Sequence, residues 1–271
     1  MSDRCNGPAS PIKWAGGKRW LTSTLHKLFP KKFDWYIEPF VGGASVFFSL
    51  RPAKAMLADL NCQLIETYEA VQSSPQEVWR RLGQHAEQHC DRYYYDQRSA
   101  APDELAAKAA RFLYLNRTCW NGLFRVNRQG HFNVPRGTKD RVMLDSDAPA
   151  DISEALGCAE LYWSDFEMIV DGAGRGDLVY ADPPYTVKHN LNGFIKYNES
   201  IFSWQDQERL AESLRAARRR GATVVISNAD HQSIRELYAK DFIKYTVRRP
   251  SVIAASAEFR VETTELLIVG R

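Results

Sequence analysis

The sequence predicts an α/β protein whose parallel sheet is interrupted by an inserted, mainly helical module. Short apolar stretches typical of strands alternate with helical patterns near both ends of the chain. The middle of the chain lacks such stretches and is helical first and aperiodic afterwards. We therefore expect one domain made of residues 1–61 and 161–271, with a second domain, residues 62–160, inserted between its halves.

The first half of the α/β domain contains two strand patterns. Residues 36–50 predict a short strand, a glycine turn and an apolar helix, and residues 55–61 predict a strand that ends at an acid. Within the insert, apolar positions recur three and four apart from Gln63 to about Tyr114, which predicts helices. Residues 117–141 collect Asn, Gly, Arg and aromatic residues without a period, which predicts a loop or a short hairpin.

Strand patterns return in the second half, at residues 176–185 and 222–228. The helix predicted between them can be capped by Ser203 and ended by Gly221. Two further strands are predicted in the tail, in the stretches KYTVRRP and TELLIVG. This alternation of strands and helices at both ends of the chain is the basis of the fold prediction.

Composition places the chain among ordinary globular proteins. Hydrophobic residues make up 44% and charged residues 25%, and no apolar run approaches the roughly 18–20 residues of a membrane-spanning helix. The N-terminal stretch has no secretory pattern, so we expect a cytoplasmic protein. The five cysteines and six histidines lack metal-ligand spacing, so we expect no metal and no disulfide framework. A reactive or redox-sensing thiol is the alternative to reduced, mostly buried cysteines.

Charge is concentrated in one segment. The net charge is +3, but residues 111–141 hold seven Arg or Lys and one acid, Asp140, so the rest of the chain sums to −3. A basic segment in a near-neutral protein is typical of a polyanion-binding surface. A solvated basic face is the alternative, and charge alone does not decide between them.

The tetrad Asp182-Pro183-Pro184-Tyr185 directly follows an apolar strand pattern. Ligands of open α/β sheets bind beyond the carboxyl ends of strands, and two prolines make the following loop stiff. Asp182 and the Pro183 carbonyl could accept hydrogens from the exocyclic amine of adenine and make its nitrogen more nucleophilic, while Tyr185 could stack on the base. A rigid turn without a catalytic role is the alternative.

Two glycine-bearing segments precede the tetrad. The first, residues 13–18 (KWAGGK), is not a phosphate-binding loop, and the second, residues 38–44 (EPFVGGA), lacks the dinucleotide-binding spacing. Asp59 ends the next strand pattern, where it could accept a hydrogen bond from a ribose hydroxyl. Each of these features, taken singly, is more often structural.

Together these motifs resemble those of the Dam-type (alpha-class, D12 family) DNA adenine methyltransferases. The order KWAGGK, EPFVGGASVF, LADLN, insert, DPPY spans nearly the whole chain. The resemblance implies a Rossmann-like methyltransferase domain that uses S-adenosylmethionine and acts on double-stranded DNA, in a bacterial or phage protein. It assigns cofactor binding to these residues: Trp14, Ala15, Gly16, Gly17, Lys18, Glu38, Pro39, Phe40, Gly42, Gly43, Asp59, Asp165, Phe166 and Asp182.

Within the insert, residues 112–137 resemble the recognition hairpin of the same family, here about 117–137. Arg125 could contact guanine, and Leu123 and Pro135 could abut a thymine methyl group. Trp120 could enter the duplex where a base is extruded, although Trp120 and Leu123 could instead be hairpin core. The DNA contacts implied by the resemblance are Lys13, Arg117, Trp120, Asn121, Leu123, Arg125, Asn127, Arg128, Asn133, Pro135, Arg136 and Lys139.

Four of these residues, Arg117, Arg128, Arg136 and Lys139, are expected at phosphates and not at bases. Lys13 matches a position that contacts the first guanine in GATC-methylating relatives. Residues 136–140 (RGTKD) depart from those relatives, which continue with an aromatic residue and Gly-Arg-Tyr. Residues 194–210 resemble the segment after DPPY, and we expect Phe194 and Tyr197 to line the pocket of the flipped adenine.

The sequence therefore predicts a monomeric, site-specific DNA adenine-N6 methyltransferase that flips its target base, with GATC as the expected site. Two alternatives remain at this point. An adenine methyltransferase acting on RNA would keep the cofactor motifs and DPPY but would not need a major-groove hairpin. A non-catalytic DNA-binding module would have no need of an intact DPPY tetrad. We expect no membrane and no obligate protein partner.

Overall fold

The computed structural model describes residues 7–127, 130–187, 202–249 and 263–271. The chain divides into two compact units. The first unit consists of Met1–His26 and Val41–Trp163, and the second of Lys27–Phe40 and Ser164–Arg271. The predicted insert, 62–160, lies within the first unit, whereas the predicted α/β domain is divided between both. The domain boundaries given above stay a prediction.

The described residues form helices and strands in alternation. The helices are α1 (Thr22–Leu28), α2 (Ser45–Leu50), α3 (Cys62–Ser73), α4 (Pro75–Gln88), α5 (Asp91–Ser99), α6 (Leu105–Thr118), α7 (Pro149–Leu156), α8 (Phe166–Val170), α9 (Trp204–Arg219) and α10 (Gln232–Leu237). The strands are β1 (Tyr36–Glu38), β2 (Ala55–Asp59), β3 (Ala159–Trp163), β4 (Leu178–Ala181), β5 (Thr223–Ala229), β6 (Ile243–Arg249) and β7 (Thr263–Gly270). The α/β class predicted from the sequence is confirmed.

In the first unit, β2 and β3 pair in parallel, from Ala55 opposite Ala159 to Asp59 opposite Trp163. The helices predicted between residues 63 and 114 are α3 to α6, and both α3 and α4 pack on α6. Asn61 caps α3 by accepting a hydrogen bond from the Leu64 amide at 3.1 Å, because its short side chain can reach a first-turn N–H that has no helical partner.

The second unit contains five strands in the order β1-β4-β5-β7-β6. β4 pairs in parallel with β1 and with β5, whereas β7 runs antiparallel to both β5 and β6. The prediction of parallel strands thus holds for β1, β4 and β5 and is wrong for the tail. A short apolar pattern shows that a strand forms but carries no information on its direction.

Helix α9 begins and ends where the sequence predicts. The Ser203 side chain accepts from the Asp206 amide, and the Asp206 carboxylate accepts from the Ser203 amide, which together form a capping box. Gly221 follows the helix with a φ of +98°, a conformation that strains other residues. No helix in the described parts of the chain is both long and apolar enough to cross a membrane.

Candidate catalytic and DNA-recognition residues

The DPPY tetrad follows β4 directly, and the neighbouring strand β5 fixes its first residue. The parallel register places Ala181 opposite Ile226, so Ser227 and Asp182 come next on their respective strands. Ser227 Oγ donates to Asp182 Oδ1 at 2.8 Å, and the Tyr180 hydroxyl lies 2.9 Å from Ser227 Oγ. Tyr180 and Ser227 are fully buried. The Asp182 carboxylate is therefore held by a hydrogen-bonded pair in the sheet core.

A second buried pair holds the proline loop. Gln207 Nε2 of α9 donates to the Pro184 carbonyl at 3.2 Å, and Asn228 Nδ2 donates to Gln207 Oε1 at 3.2 Å. Gln207 and Asn228 are both 0% exposed. Within the described residues no donor reaches the Pro183 carbonyl. The loop thus uses the second proline carbonyl for its own stability and leaves the first for another donor.

Tyr185 is anchored by a carboxylate on β7. Its hydroxyl donates to Glu265 Oε2 at 2.9 Å, and Glu265 is buried. Burial raises the pKa of Tyr185 well above its ordinary value, and the charges of Asp182 and Glu265 raise it further. Tyr185 therefore stays a neutral hydrogen-bond donor, and its ring is fixed at the hydroxyl end.

The same part of the second unit is electrostatically negative. Burial raises the pKa of Tyr180 well above the ordinary value, and the nearby carboxylates of Asp182, Glu38 and Glu265 add to this effect. Tyr36 donates to Glu38 Oε2 at 2.9 Å, and burial followed by the Glu38 charge raises the pKa of Tyr36 well above its ordinary value. Three carboxylates around a buried phenol favour positive charge, such as a sulfonium or a developing ammonium.

Three of the predicted cofactor residues meet in the second unit. The rings of Phe40 and Phe166 lie 5.6 Å apart, and Phe202 packs edge-on against Phe40 at 5.4 Å. Asp165 caps α8, because its Oδ1 accepts from the Glu167 amide at 3.1 Å. Sequence reasoning missed Phe202, since a phenylalanine shortly before a helix cap carries no motif. Pro39, next to Phe40, is buried.

In the first unit the glycine turn after Phe40 closes on Trp14. A Cβ atom at Gly42 would lie 2.6 Å from Trp14 Cδ1, and Gly42 has a φ of +43°. Both facts require glycine at this position. Gly43 is similarly close, since its Cβ would lie 3.1 Å from Trp14 Cβ. The predicted cofactor residues Trp14, Gly42 and Gly43 are thus packed against each other.

Asp59 is tied to the same turn. Its Oδ2 accepts from the Gly42 amide at 3.1 Å, and its Oδ1 accepts from the Asn61 amide at 3.0 Å. Burial raises the pKa of Asp59, and this effect outweighs the hydrogen bonds from the backbone amides, which lower it. The Tyr68 hydroxyl, donating to the Gly42 carbonyl at 2.8 Å, fixes the turn from the helix side.

The KWAGGK segment forms a tight turn. The Gly17 amide donates to the Trp14 carbonyl at 3.1 Å, and Lys18 Nζ donates to the Gly16 carbonyl at 2.9 Å. Lys18 is buried, whereas Ala15, Gly16 and Gly17 are exposed. The turn therefore presents its backbone outward and keeps its lysine inside.

Lys13 is held beside the recognition hairpin by a residue that the sequence reasoning did not select. Asn116 Oδ1 accepts from the Lys13 amide, and Asn116 Nδ2 donates to the Lys13 carbonyl, both at 2.8 Å. The Lys13 side chain packs over Gly122, where a Cβ would lie 3.1 Å from Lys13 Cδ. A buried asparagine whose side-chain carbonyl and NH2 group both bond to the backbone of a distant residue acts like a neighbouring strand. No sequence spacing reveals such a pair.

The described residues of the predicted recognition hairpin carry two antiparallel bridges, Cys119 with Arg136 and Val126 with Phe132. Their role in reading DNA stays a prediction. The predicted DNA contacts of the hairpin are mostly exposed. Exposed residues here are Trp120, Asn121, Leu123, Arg125, Asn127, Pro135 and Lys139. Trp120 is 51% exposed, so the alternative of a core role is wrong for this residue, and Leu123 is 37% exposed. Arg125 Nε donates to Asn133 Oδ1 at 2.9 Å, which orients its guanidinium.

The predicted phosphate contact of Arg117 is wrong. Arg117 is 1% exposed, and its guanidinium forms two 2.7 Å hydrogen bonds with Asp147 and donates to the Val142 carbonyl at 2.8 Å. The buried Arg117 guanidinium therefore links α6 to the segment that follows the hairpin. The sequence shows a basic residue but not the carboxylate thirty positions away that neutralises it.

Two other predicted phosphate contacts differ in their surroundings. Arg136 pairs with Asp91 at 2.6 Å and with Asp140, so its charge is balanced by two carboxylates. Lys139 is exposed. Burial lowers the pKa of Lys13, and the charge of Lys139 lowers it further. The contacts of Arg136 and Lys139 with DNA stay predictions. Three predicted residues, Arg128, Phe194 and Tyr197, lie outside the described residues.

Comparison with known proteins decides the family. A family model described as D12 class N6 adenine-specific DNA methyltransferase matches residues 14–252. The chain belongs to this family. The Type II methyltransferase M1.LlaDCHI of Lactococcus lactis subsp. cremoris is 35% identical over 95% of this chain and 94% of its own length. The DNA adenine methylase of Escherichia coli K12 is 32% identical, over 94% of this chain and 93% of its own.

A third relative is the DNA adenine methylase of Haemophilus influenzae, which is 31% identical over 95% of this chain and 92% of its own length. Membership of the D12 family makes this chain an adenine-specific DNA methyltransferase. Of the alternatives left open by the sequence, neither the RNA enzyme nor the non-catalytic module agrees with that membership.

Proposed function

We propose that this D12 family member transfers a methyl group from S-adenosylmethionine to the N6 nitrogen of an adenine flipped out of duplex DNA, at GATC. The observation that carries the proposal is the pair of acceptors at the start of the DPPY loop. Ser227 holds the Asp182 carboxylate at 2.8 Å, and the Pro183 carbonyl has no donor among the described residues. These are the two acceptors that an amine with two hydrogens needs.

The residues of each unit fit the proposed cofactor. In the second unit, the rings of Phe40 and Phe166 suit a flat adenine, and the negative field of Glu38 and Asp182 suits a cationic sulfonium. In the first unit, Asp59 has acceptor capacity left for a ribose hydroxyl, since each carboxylate oxygen carries two lone pairs. When bound, S-adenosylmethionine supplies an electrophilic methyl group.

The chain's own residues make the amine nucleophilic. The nitrogen lone pair of adenine is delocalised into the ring, and hydrogen bonds to Asp182 and the Pro183 carbonyl favour a more tetrahedral nitrogen whose lone pair is free. The nitrogen would become positively charged as its bond to the methyl carbon forms, while the bond from that carbon to the sulfonium sulfur breaks and leaves a neutral thioether. The carboxylates around Tyr180 would stabilise the charge on the nitrogen. The Asp182 carboxylate or solvent then takes the surplus proton from the nitrogen.

Tyr185 positions the base. Its ring is the stacking surface for the flipped adenine, and the bond to Glu265 at 2.9 Å prevents the ring from turning away. Flipping itself follows from the chemistry, because the N6 nitrogen of a stacked adenine is not accessible to in-line attack.

The exposed hairpin supports a duplex DNA substrate read in the major groove. Arg125, oriented by Asn133, suits guanine, and Leu123 and Pro135 suit a thymine methyl group. Lys13 lies against the hairpin and has Lys139 as its cationic neighbour, so an acceptor-rich guanine edge or a phosphate would relieve their repulsion. Relatives named DNA adenine methylase are similar along nearly the whole chain, which supports adenine in DNA as the substrate. GATC as the site rests on the resemblance of Lys13 and residues 112–137 to the matching positions of GATC-methylating relatives.

The test of the catalytic proposal is Asp182→Ala. We expect kcat for methylation of a GATC duplex to fall by about 100-fold or more, because a preorganised acceptor for the reacting amine is lost. Binding of S-adenosylmethionine and of DNA, measured by titration, should still occur. Asp171→Ala, at an exposed position after α8, is the matched control and should retain wild-type turnover. Retained activity in Asp182→Ala would contradict the mechanism.

A further inference from the structure

A single arginine on α9 joins three carboxylates of the second unit. Arg209 lies 3.1 Å from Asp165 Oδ1, 3.0 Å from Glu167 Oε2 and 2.8 Å from Asp206 Oδ1. Hydrogen bonds with Glu167 and Asp206 raise the pKa of Arg209 above its ordinary value, so it is charged at any working pH. Three acids that would repel one another are thereby held around one cation.

The same guanidinium also packs on the aromatic cluster. The Arg209 Cζ atom lies 5.0 Å from the centre of the Phe166 ring, which is a cation–π distance. Phe166 in turn contacts Phe40 at 5.6 Å and Phe202 at 6.1 Å. Arg209 therefore touches two of the residues that are proposed to bind the cofactor, Asp165 and Phe166.

These contacts fix the direction of the Asp165 carboxylate. Oδ1 accepts from the Glu167 amide at 3.1 Å and from Arg209 at 3.1 Å. In the described part of the chain, Oδ2 has no hydrogen-bond partner. One oxygen is thus used to orient the group, and the other is left to accept a hydrogen bond from a ligand.

We propose that Arg209 is a positioning residue for the nucleoside part of the methyl donor, acting through Asp165 Oδ2 and the Phe166 ring. The inference rests on the proposed function, since it takes these two residues as part of the cofactor site. Arginine suits this position better than lysine, because its planar fork can bond two carboxylates and stack on a ring at the same time, whereas the ammonium of lysine is a point charge.

A purely stabilising role is a weaker account of the cluster. The Arg209 side chain is 43% exposed and its acidic partners are 29% to 40% exposed. Exposed ion pairs of this kind contribute little to the free energy of unfolding. They can nevertheless determine which way a carboxylate points, because they select one rotamer of Asp165.

The test compares Arg209→Met and Arg209→Lys with Arg219→Met. Arg219 lies on the same helix, and among the described residues its ion-pair partner is the exposed Glu212, at 3.0 Å, so it is a matched control. The measurements are the Kd of S-adenosylmethionine without DNA, the Kd of duplex DNA and the melting temperature. We expect Arg209→Met to raise the cofactor Kd about tenfold, the size of one charged hydrogen bond, with the other two values unchanged. Arg209→Lys should recover part of the affinity, and Arg219→Met should match the wild type.

Two results would overturn the inference. One is an unchanged cofactor Kd in Arg209→Met, and the other is a parallel loss of cofactor affinity, DNA affinity and melting temperature, which would show a structural role. Asp165→Asn and Phe166→Leu separate this failure from that of the proposed function. If these two variants weaken cofactor binding and Arg209→Met does not, only the role of Arg209 is wrong. If the wild type does not bind S-adenosylmethionine, the proposed function fails.

Discussion

At the scale of single residues, the conformation of the DPPY tetrad depends on hydrogen-bond partners outside the motif. The carboxylate of Asp182 is oriented by Ser227, and the Pro184 carbonyl by Gln207. Both partners are buried, so their bonds are not exchanged with water. The geometry of the DPPY loop is therefore maintained by β5 and α9.

The role of Ser227 in orienting the carboxylate can be tested with Ser227→Ala. We expect kcat to fall about tenfold, since one hydrogen bond to a charged group is removed, with the Kd of DNA unchanged. Single-turnover methylation of a GATC duplex measures the effect. Ser73→Ala is the control, because it removes an exposed hydroxyl that donates to the Glu69 carbonyl of its own helix. An unchanged rate in Ser227→Ala would show that the carboxylate needs no such support.

At this scale the sequence offers candidate residues where a motif is contiguous. Asp182, Trp14 and the Gly42 turn were selected from their local patterns, although their roles in binding and catalysis stay proposals. Sequence reasoning could not identify Asn116 or Gln207, because each positions a predicted site residue through hydrogen bonds to backbone that is distant in sequence. It was wrong for Arg117 for the same reason, because its carboxylate partner is distant in sequence.

At the scale of elements, α4 is joined to α5 and α6 through one histidine. His85 Nδ1 lies 2.8 Å from the Tyr93 hydroxyl, and the His85 ring stacks on Tyr114 at 4.9 Å. Burial, and to a lesser extent the charge of Arg111, lowers the pKa of His85 from 6.5 to about 4. The folded protein therefore keeps this side chain neutral at pH values where the unfolded chain protonates it.

This difference makes stability depend on pH in one direction. Between pH 6.5 and about 4 the unfolded chain binds more protons than the folded chain at His85, so the free energy of unfolding falls as pH falls through this window. Urea unfolding at a series of pH values, compared between wild type and His85→Gln, measures this dependence. We expect the free energy of unfolding of the variant to fall less steeply with decreasing pH than that of the wild type. The same decline in both proteins would contradict the assignment to His85.

The positions of most helices and strands could be predicted from the spacing of apolar residues. The direction in which the strands pair could not be predicted in this way. The strands near residues 36, 55, 178 and 223, and the helices between 63 and 114, occur where apolar spacing indicates them. The antiparallel direction of β7 was missed, because direction is set by the connection between strands and by long-range packing. Turn residues and aromatic content, which are local properties, predict a loop or a short hairpin at residues 117–141.

At the scale of the whole molecule, the basic segment is less available for DNA than its composition suggests. Of its seven positive residues, Arg117 is neutralised by Asp147 and Arg136 by two acids. Arg111 donates to the carbonyls of Gln97 and Arg98 at the end of α5. Composition alone therefore overstates the charge that this segment can offer to a polyanion. In the described part of residues 111–141, Arg125 and Lys139 are the basic residues that remain exposed without a carboxylate partner.

The proposed activity of the whole protein is methylation of adenine N6 at GATC in duplex DNA. The most direct test is modification-aware sequencing of unmethylated genomic DNA after incubation with the purified protein and S-adenosylmethionine, with Asp182→Ala as the blank. We expect N6-methyladenine at GATC sites with the wild type, no methylation with the variant, and no methylation when the methyl donor is left out. N6-methyladenine at a different motif would contradict the assigned roles of Lys13, Leu123, Arg125 and Pro135. DNA that stays unmethylated by a folded, cofactor-binding protein would contradict the account as a whole.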